Sequence, residues 1–158
     1  MALTKITLKT VTEKIALPIA ELDAGDNGLY VANNSMTIIQ ALFKKELKNI
    51  RAIYLGSGLE AEPIGLILVH TSRKKLKIGR FMIDKNYQGK GYGEEAFRIG
   101  VKFFIKKYKP EIIELDTRNT IAFKLYQKFG FVEYKREHSD KKGDKIFLRS
   151  NAKDFIKR

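Results

Sequence analysis

Gln88-Gly89-Lys90-Gly91-Tyr92-Gly93 sets three alternate glycines between the apolar run Phe81-Met82-Ile83 and a stretch of helical periodicity. Without Cβ atoms, glycines let backbone N–H groups converge at a helix N-terminus, where partial positive charge also gathers. The turn therefore has the chemistry of an anion cradle. Two nucleotide-binding patterns do not fit it. A P-loop needs Lys and then Ser or Thr after its last glycine, and a dinucleotide turn needs glycine or alanine where Glu94 stands. Taken alone, the segment is equally an ordinary tight strand-to-helix connection.

A second group of residues follows. Tyr126 lies seven residues after Asn119, about two helical turns with ~20° of drift, so one ligand could touch both. The plainer readings are a helix N-cap for Asn119 and a core aromatic for Tyr126. Glu21, Asp23 and Asp26 crowd one short segment, which could receive a cation or stand as an exposed acidic loop. The chain has no cysteine, which excludes disulfides, thiolate metal sites and thiol nucleophiles. His70 and His138 have no carboxylates at metal-ligand spacing, and no metal is expected.

The elements that must position these residues are legible from periodicity. Leu3–Lys9 alternates as an edge strand, and a helix is expected from Thr12 toward Ala20, with Pro18 and Glu21–Gly28 breaking into a loop. A second amphipathic helix is expected over Ser35–Leu47, carrying Met36, Ile39, Leu42 and Phe43. Arg51–Leu55, Ile64–His70 and Leu76–Ile83 read as an antiparallel meander. From Gly91 to Tyr108, Phe97, Val101, Phe104 and Tyr108 recur at helical steps, with Glu94 and Glu95 at the start and Lys106 and Lys107 at the end, as the helix dipole favours. Ile112–Thr117 reads as a strand, Asn119–Phe129 as a helix stopped by Gly130, and Phe131–His138 with Ile146–Arg149 as a terminal hairpin. The order is β-α-α-β-β-β-α-β-α-β-β, an α/β (α+β) class with a mixed central sheet of six or seven strands and flanking helices. No repeat or linker interrupts it, so residues 1–158 are expected to form a single domain.

The balance of 44% hydrophobic and 31% charged residues is that of a globular chain. Residues 1–70 hold seven basic and seven acidic side chains, leaving 24 basic and 11 acidic in residues 71–158, so the net charge of +13 belongs to the C-terminal half. That half should face an anionic ligand. The basic clusters Arg73-Lys74-Lys75-Lys77 and Lys106-Lys107-Lys109 read as solvated faces, and a specific nucleic-acid partner is not expected. The N-terminal residues lack the apolar stretch of a signal peptide, and no apolar run approaches the ~20 residues of a membrane span. A cytoplasmic protein without membrane partners is expected.

The glycine turn resembles that of the GNAT acetyltransferases, whose signature of Gln or Arg, two residues, Gly, one residue, Gly or Ala is met by Gln88, Gly91 and Gly93. Asn119-Thr120-Ile121-Ala122-Phe123-Lys124-Leu125-Tyr126, followed by Gly130-Phe131, is similar to a second motif of the family. Gly79–Asp84 with the Tyr-Gln-Gly-Lys-Gly turn looks most like the bacterial spermine/spermidine acetyltransferases. The resemblance implies the GNAT fold, acetyl-CoA as co-substrate, and direct attack of a primary amine on the thioester without an acyl-enzyme. It assigns CoA contacts to Phe81, Met82, Ile83, Gln88, Gly89, Lys90, Gly91, Tyr92, Gly93, Asn119, Phe123 and Tyr126. Tyr126 becomes the acid that protonates the departing thiolate, and Arg98 adds charge near the phosphates. The strand before the turn should bend away from Ile112–Thr117 to admit pantetheine. A small amine such as spermine or spermidine, received by Glu21, Asp23 and Asp26, and a homodimer are the implied partners.

An alkylamine of pKa near 10.4 is ionised at pH 7, and deprotonating it costs roughly 4–5 kcal/mol, so a base or proton wire is required. Some relatives carry Glu where this chain has Gly79; Glu21, Asp23, Asp26 and Glu114 are the remaining candidates. Two other readings stay open on the residues alone: a CoA-binding module without catalysis, and a basic nucleic-acid-associated protein.

Overall fold

A computed structural model describes residues 5–25 and 33–158. Among them are seven strands in one mixed sheet and five α-helices: β1 (Ile6–Thr10), α1 (Glu13–Ala20), α2 (Asn34–Phe43), β2 (Ile50–Leu55), β3 (Glu62–Ser72), β4 (Lys75–Ile83), α3 (Tyr92–Tyr108), β5 (Ile112–Thr117), α4 (Thr120–Lys128), β6 (Val132–Glu137), β7 (Lys145–Asn151) and α5 (Ala152–Ile156). The sheet order is β1-β2-β3-β4-β5-β7-β6. This is the expected order of elements, with α5 added at the end. The fold divides into two compact units, residues 1–68 with 80–100, and residues 69–79 with 101–158.

In the first unit β1 and β2 pair antiparallel, as do β2 and β3, with a bulge at Ile53/Tyr54. Val11, Ile19, Ile38, Ala41, Ile50, Ala52, Tyr54, Leu66 and Met82 form its buried apolar cluster, with Ile15, Ala16 and Ala20 of α1 packed against it. That packing keeps Pro18 inside α1, where periodicity placed a break. A proline at this depth removes one helical N–H and crowds the carbonyl four residues earlier. Even so, the chain continues its turn, with the Glu21 N–H donating to the Leu17 carbonyl at 3.1 Å. The helix thus runs to Ala20, the end expected for it, with Pro18 inside it and not in the loop.

The apolar stripe expected of α2 is corrected by the structure. Asn34, Thr37, Ile38 and Ala41 face the core, while Met36, Ile39, Leu42 and Phe43 are exposed, Phe43 at 86%. The inward residues also recur at helical spacing, and two of their polar groups find partners: the Asn34 Nδ2 donates to the Ile19 carbonyl at 3.0 Å, and Arg80 donates to the Thr37 hydroxyl at 2.5 Å. The helix also ends four residues sooner than expected, at Phe43.

In the second unit the parallel register of β4 and β5 sets Lys75–Ile78 beside Ile112–Leu115. β5 then pairs antiparallel with β7, and β7 with the exposed edge strand β6. The unforeseen α5 buries Phe155 against Phe129 and Phe131, with ring centroids 5.5 and 6.1 Å apart.

Candidate active site

β4 leads through a short 3₁₀ turn, Lys85–Tyr87, into the glycine segment and α3. Gly89 and Gly91 have φ of +75° and +84°, and a Cβ at either would meet open space. Their backbones are left-handed and bare, which is what a group approaching the main chain requires. Gly93 differs: it lies within α3, and a Cβ there would make an ordinary 3.7 Å contact with Ile83. The first N–H groups of a helix have no intrahelical acceptor, so the start of α3 at Tyr92 presents donors to an anion.

The side chains around the turn hold it from below. Gln88 Nε2 donates to the carbonyls of Ile83 (2.8 Å) and Ala24 (2.9 Å). Asp84 is buried and accepts from the N–H groups of Asn86 and Asp23, both at 2.9 Å. Gln88 thus braces the loop rather than projecting from it. Lys90 is exposed, its ammonium 3.2 Å from the Asn86 carbonyl. Arg98 pairs with Glu95 one turn earlier. Half-buried Phe81 packs edge-to-face on Phe97 of α3, 5.2 Å between centroids, and Met82 and Ile83 are buried.

On the second unit Asn119 caps α4, its Oδ1 accepting from Ile121 N–H (2.9 Å) and Ala122 N–H (3.2 Å). Its backbone is extended, φ −94° and ψ 121°, as that of an N-cap residue is. Half-buried Phe123 begins the helical ladder, its N–H on the Asn119 carbonyl at 2.9 Å. At the other end Gly130, at φ +83°, closes α4. The Phe131 N–H reaches the Tyr126 carbonyl at 3.1 Å, and the Gly130 N–H reaches Gln127 at 2.9 Å. The Tyr126 and Phe131 rings meet at 6.2 Å, the apolar contact that accompanies this type of cap. Burial, and secondarily the Asp116 carboxylate, push the Tyr126 phenol well above its ordinary pKa, so it is held neutral with its proton on.

The acidic segment is divided. Asp23 is engaged on both oxygens, by the Gly25 N–H and the Lys85 ammonium, each at 2.8 Å, and the lysine first and the N–H second hold its pKa below the usual range. Glu21 is exposed, and Asp26 lies outside the described residues. Of the basic cluster at residues 73–77, Lys74, Lys75 and Lys77 pair with Glu111, Glu114 and Asp116 at 2.5, 3.1 and 3.0 Å, which makes it an internally paired face. That pairing also occupies Glu114 as a base.

Sequence reading missed four residues around the end of β4. Asn34 is buried, with its Oδ1 unpartnered among the described residues and its Nδ2 3.6 Å from the Met82 sulfur. Arg80 reaches Thr37. Gly65 makes room for the Met82 carbonyl, which a Cβ would meet at 2.3 Å. Only Asp84 carried a local signal, in the Asp-x-Asn turn that it caps.

An open glycine turn at a helix N-terminus suits a ligand carrying a pyrophosphate, and a buried neutral phenol suits a leaving group that departs as an anion. Residues 29–131 match the Acetyltransferase (GNAT) family. A probable spermine N(1)-acetyltransferase of Bacillus subtilis subsp. natto (strain BEST195) is 29% identical over 91% of this chain and 97% of its own length. A spermine/spermidine N(1)-acetyltransferase of Bacillus subtilis (strain 168) is 28% identical over the same shares. A Vibrio cholerae spermidine N-acetyltransferase, solved with CoA and spermine, superposes with a TM-score of 0.77 at 16% identity, covering 96% of this chain and 98% of that one. The ribosomal-protein-S18-alanine N-acetyltransferase of Escherichia coli gives 0.70 at 12% identity, covering 94% of each. The chain belongs to the GNAT acetyltransferase family, and it is an enzyme that transfers an acetyl group from acetyl-CoA. Among the described residues no helix is long and apolar enough to cross a membrane.

Proposed function

We propose that this enzyme acetylates a primary amine of a polyamine, spermine or spermidine. The observation that carries this reading is the pair of Bacillus subtilis relatives, which match over nearly their whole length and bear that activity in their names. The fold alone does not choose the acceptor, since structures named for a polyamine and for a protein N-terminal alanine are both similar to it.

In this reading the turn Gln88–Gly93 takes the CoA pyrophosphate on backbone N–H groups, with Lys90 adding charge and Gln88 fixing the loop. Phe81, Met82 and Ile83 line the acyl end of the cofactor, and Asn119 and Phe123 its pantetheine arm. The amine attacks the thioester directly, in keeping with a chain that has no cysteine to carry an acyl group. As the C–S bond breaks, Tyr126 gives its hydroxyl proton to the sulfur. The unit boundaries fall inside β3, β4 and α3 and not in linkers, which supports one catalytic domain over residues 1–158. A homodimer, by resemblance, and a cytoplasmic location, from the sequence, complete the reading.

The charges of Glu21 and Asp26 would receive the acceptor's ammonium groups, while Asp23 is already paired with Lys85. Exchanging Glu21→Gln with Asp26→Asn leaves that pair intact. Each exposed ion pair is worth about 0.2–1 kcal/mol, so KM for spermidine should rise roughly 2- to 30-fold. A singly charged amine, with no distal ammonium to lose, should change less. Steady-state kinetics on both amines decide it: equal changes, or no turnover of any polyamine, would sink the polyamine assignment.

A further inference from the structure

Gly79 has no positive φ to explain it; what it provides is space. A Cβ there would lie 2.6 Å from Nε2 and 2.7 Å from Cδ2 of His70, so the imidazole of β3 rests directly against the bare backbone of β4. Along β4, Lys75, Lys77 and Gly79 are exposed while Leu76 and Ile78 are buried, which places His70 on the open face of the strand that runs into the glycine turn.

The charged groups of that face are otherwise committed. Lys75 pairs with Glu114 of β5, and Lys77 with Asp116, which Lys145 of β7 also reaches at 3.3 Å. Arg80, next along β4, turns to Thr37. Tyr126 of α4, near Asp116, is held protonated and so is not the base that first deprotonates the ammonium. The other histidine, His138, is clamped between Asp144 and Asp140 at 2.7 Å each, an arrangement that favours the charged form with no lone pair to offer. Among the described residues His70 has no hydrogen-bond or ion-pair partner. Imidazole is also the side chain whose ordinary titration lies nearest neutrality.

We propose that His70, seated on Gly79, is the general base of the acetyl transfer. The inference rests on the acetyl-transfer reading and not on which amine is the acceptor. One proton of the acceptor's ammonium passes to the imidazole and then to water. The freed lone pair forms the N–C bond to the acetyl carbonyl carbon. The C–S bond breaks, and the nitrogen's surplus proton reaches the departing sulfur through the Tyr126 hydroxyl. The products are the amide, CoA thiol and one released proton.

His70→Gln should lower kcat/KM at pH 7 by about 10²–10⁴, the usual contribution of a positioned base. Spermidine and a monoamine should lose equally, and acetyl-CoA binding should be unchanged by calorimetric titration. The deficit should shrink toward pH 10, where the amine deprotonates itself. Gly79→Ala, which displaces the imidazole, should also slow wild type, yet add little in a His70→Ala background, and free imidazole should partly restore His70→Ala. Activity of His70→Gln within threefold of wild type at pH 7, or a deficit unaltered between pH 7 and 10, overturns the proposal. A loss confined to spermidine makes His70 an acceptor contact and overturns it too. A wild type that turns over the monoamine but no polyamine overturns the acceptor assignment alone and leaves the base test standing.

Discussion

Tyr126 owes its position to a glycine four residues away. Gly130 supplies the left-handed residue that ends α4, and the closing contact of that cap lays Phe131 against the Tyr126 ring. The buried phenol then resists ionisation, so in the proposed reaction it would meet the developing thiolate with its proton in place. Tyr126→Phe removes the hydroxyl and keeps the ring. Turnover should fall by about 10²–10⁴ with acetyl-CoA affinity retained. Single-turnover kinetics check it, and an unchanged chemical step would remove Tyr126 as the acid. Asn119 takes the N-cap of α4, one of the two readings its spacing allowed, with its Oδ1 turned back to the first helical N–H groups. Gln88 ties its turn to two neighbouring segments, donating to the carbonyls of Ile83 at the end of β4 and of Ala24 after α1.

Elements were legible where their ends carried glycine or charge. β5 fell at Ile112–Thr117 as periodicity placed it, and α3 began one residue late, with its acidic first turn and basic last turn in place. α2 was misjudged because its stop is silent. Lys45 takes φ 56°, the Glu46 N–H reaches the Ala41 carbonyl at 2.8 Å and the Lys45 N–H reaches Leu42 at 3.1 Å, a glycine-type cap built on lysine. Nor could periodicity choose between two stripes of α2, since the buried one contains Asn34 and Thr37, whose partners Ile19 and Arg80 are distant in sequence. The glycine turn offers a sharper test than its motif does. Gly91→Val forces a branched side chain into a left-handed backbone and over the open N–H groups, and acetyl-CoA binding should drop at least 100-fold in a folded protein. Gly93→Ala, inside α3 with only an ordinary contact, should bind within a few-fold of wild type. Calorimetric titration of both variants separates a required conformation from a merely recurrent residue.

At the scale of the molecule, charge and cooperativity can be read in one experiment. The +13 excess lies in residues 71–158, and part of it is spent within the fold, since Lys74, Lys75 and Lys77 face carboxylates. What remains should favour a polyanionic cofactor and repel a free polycation, although exposed charges more than ~8 Å apart are largely screened at physiological salt. A ligand that binds only the folded chain adds about 2.7 kcal/mol at a hundredfold excess over its Kd. At about 2–4 °C per kcal/mol for a chain of this size, acetyl-CoA should raise Tm by roughly 5–10 °C. Because β3, β4 and α3 each run through both compact units, neither unit can lose its strands without unravelling elements of the other, and melting should be a single transition that shifts as a whole. Raising salt should shrink the acetyl-CoA shift by weakening the phosphate contacts. A nucleotide of equal charge should shift Tm far less, because the thioester and pantetheine contacts are missing. Two separate transitions by calorimetry would defeat the one-domain reading. Equal shifts from acetyl-CoA and the nucleotide would mean that bulk positive charge, and not the turn and its neighbouring strand, recognises the cofactor.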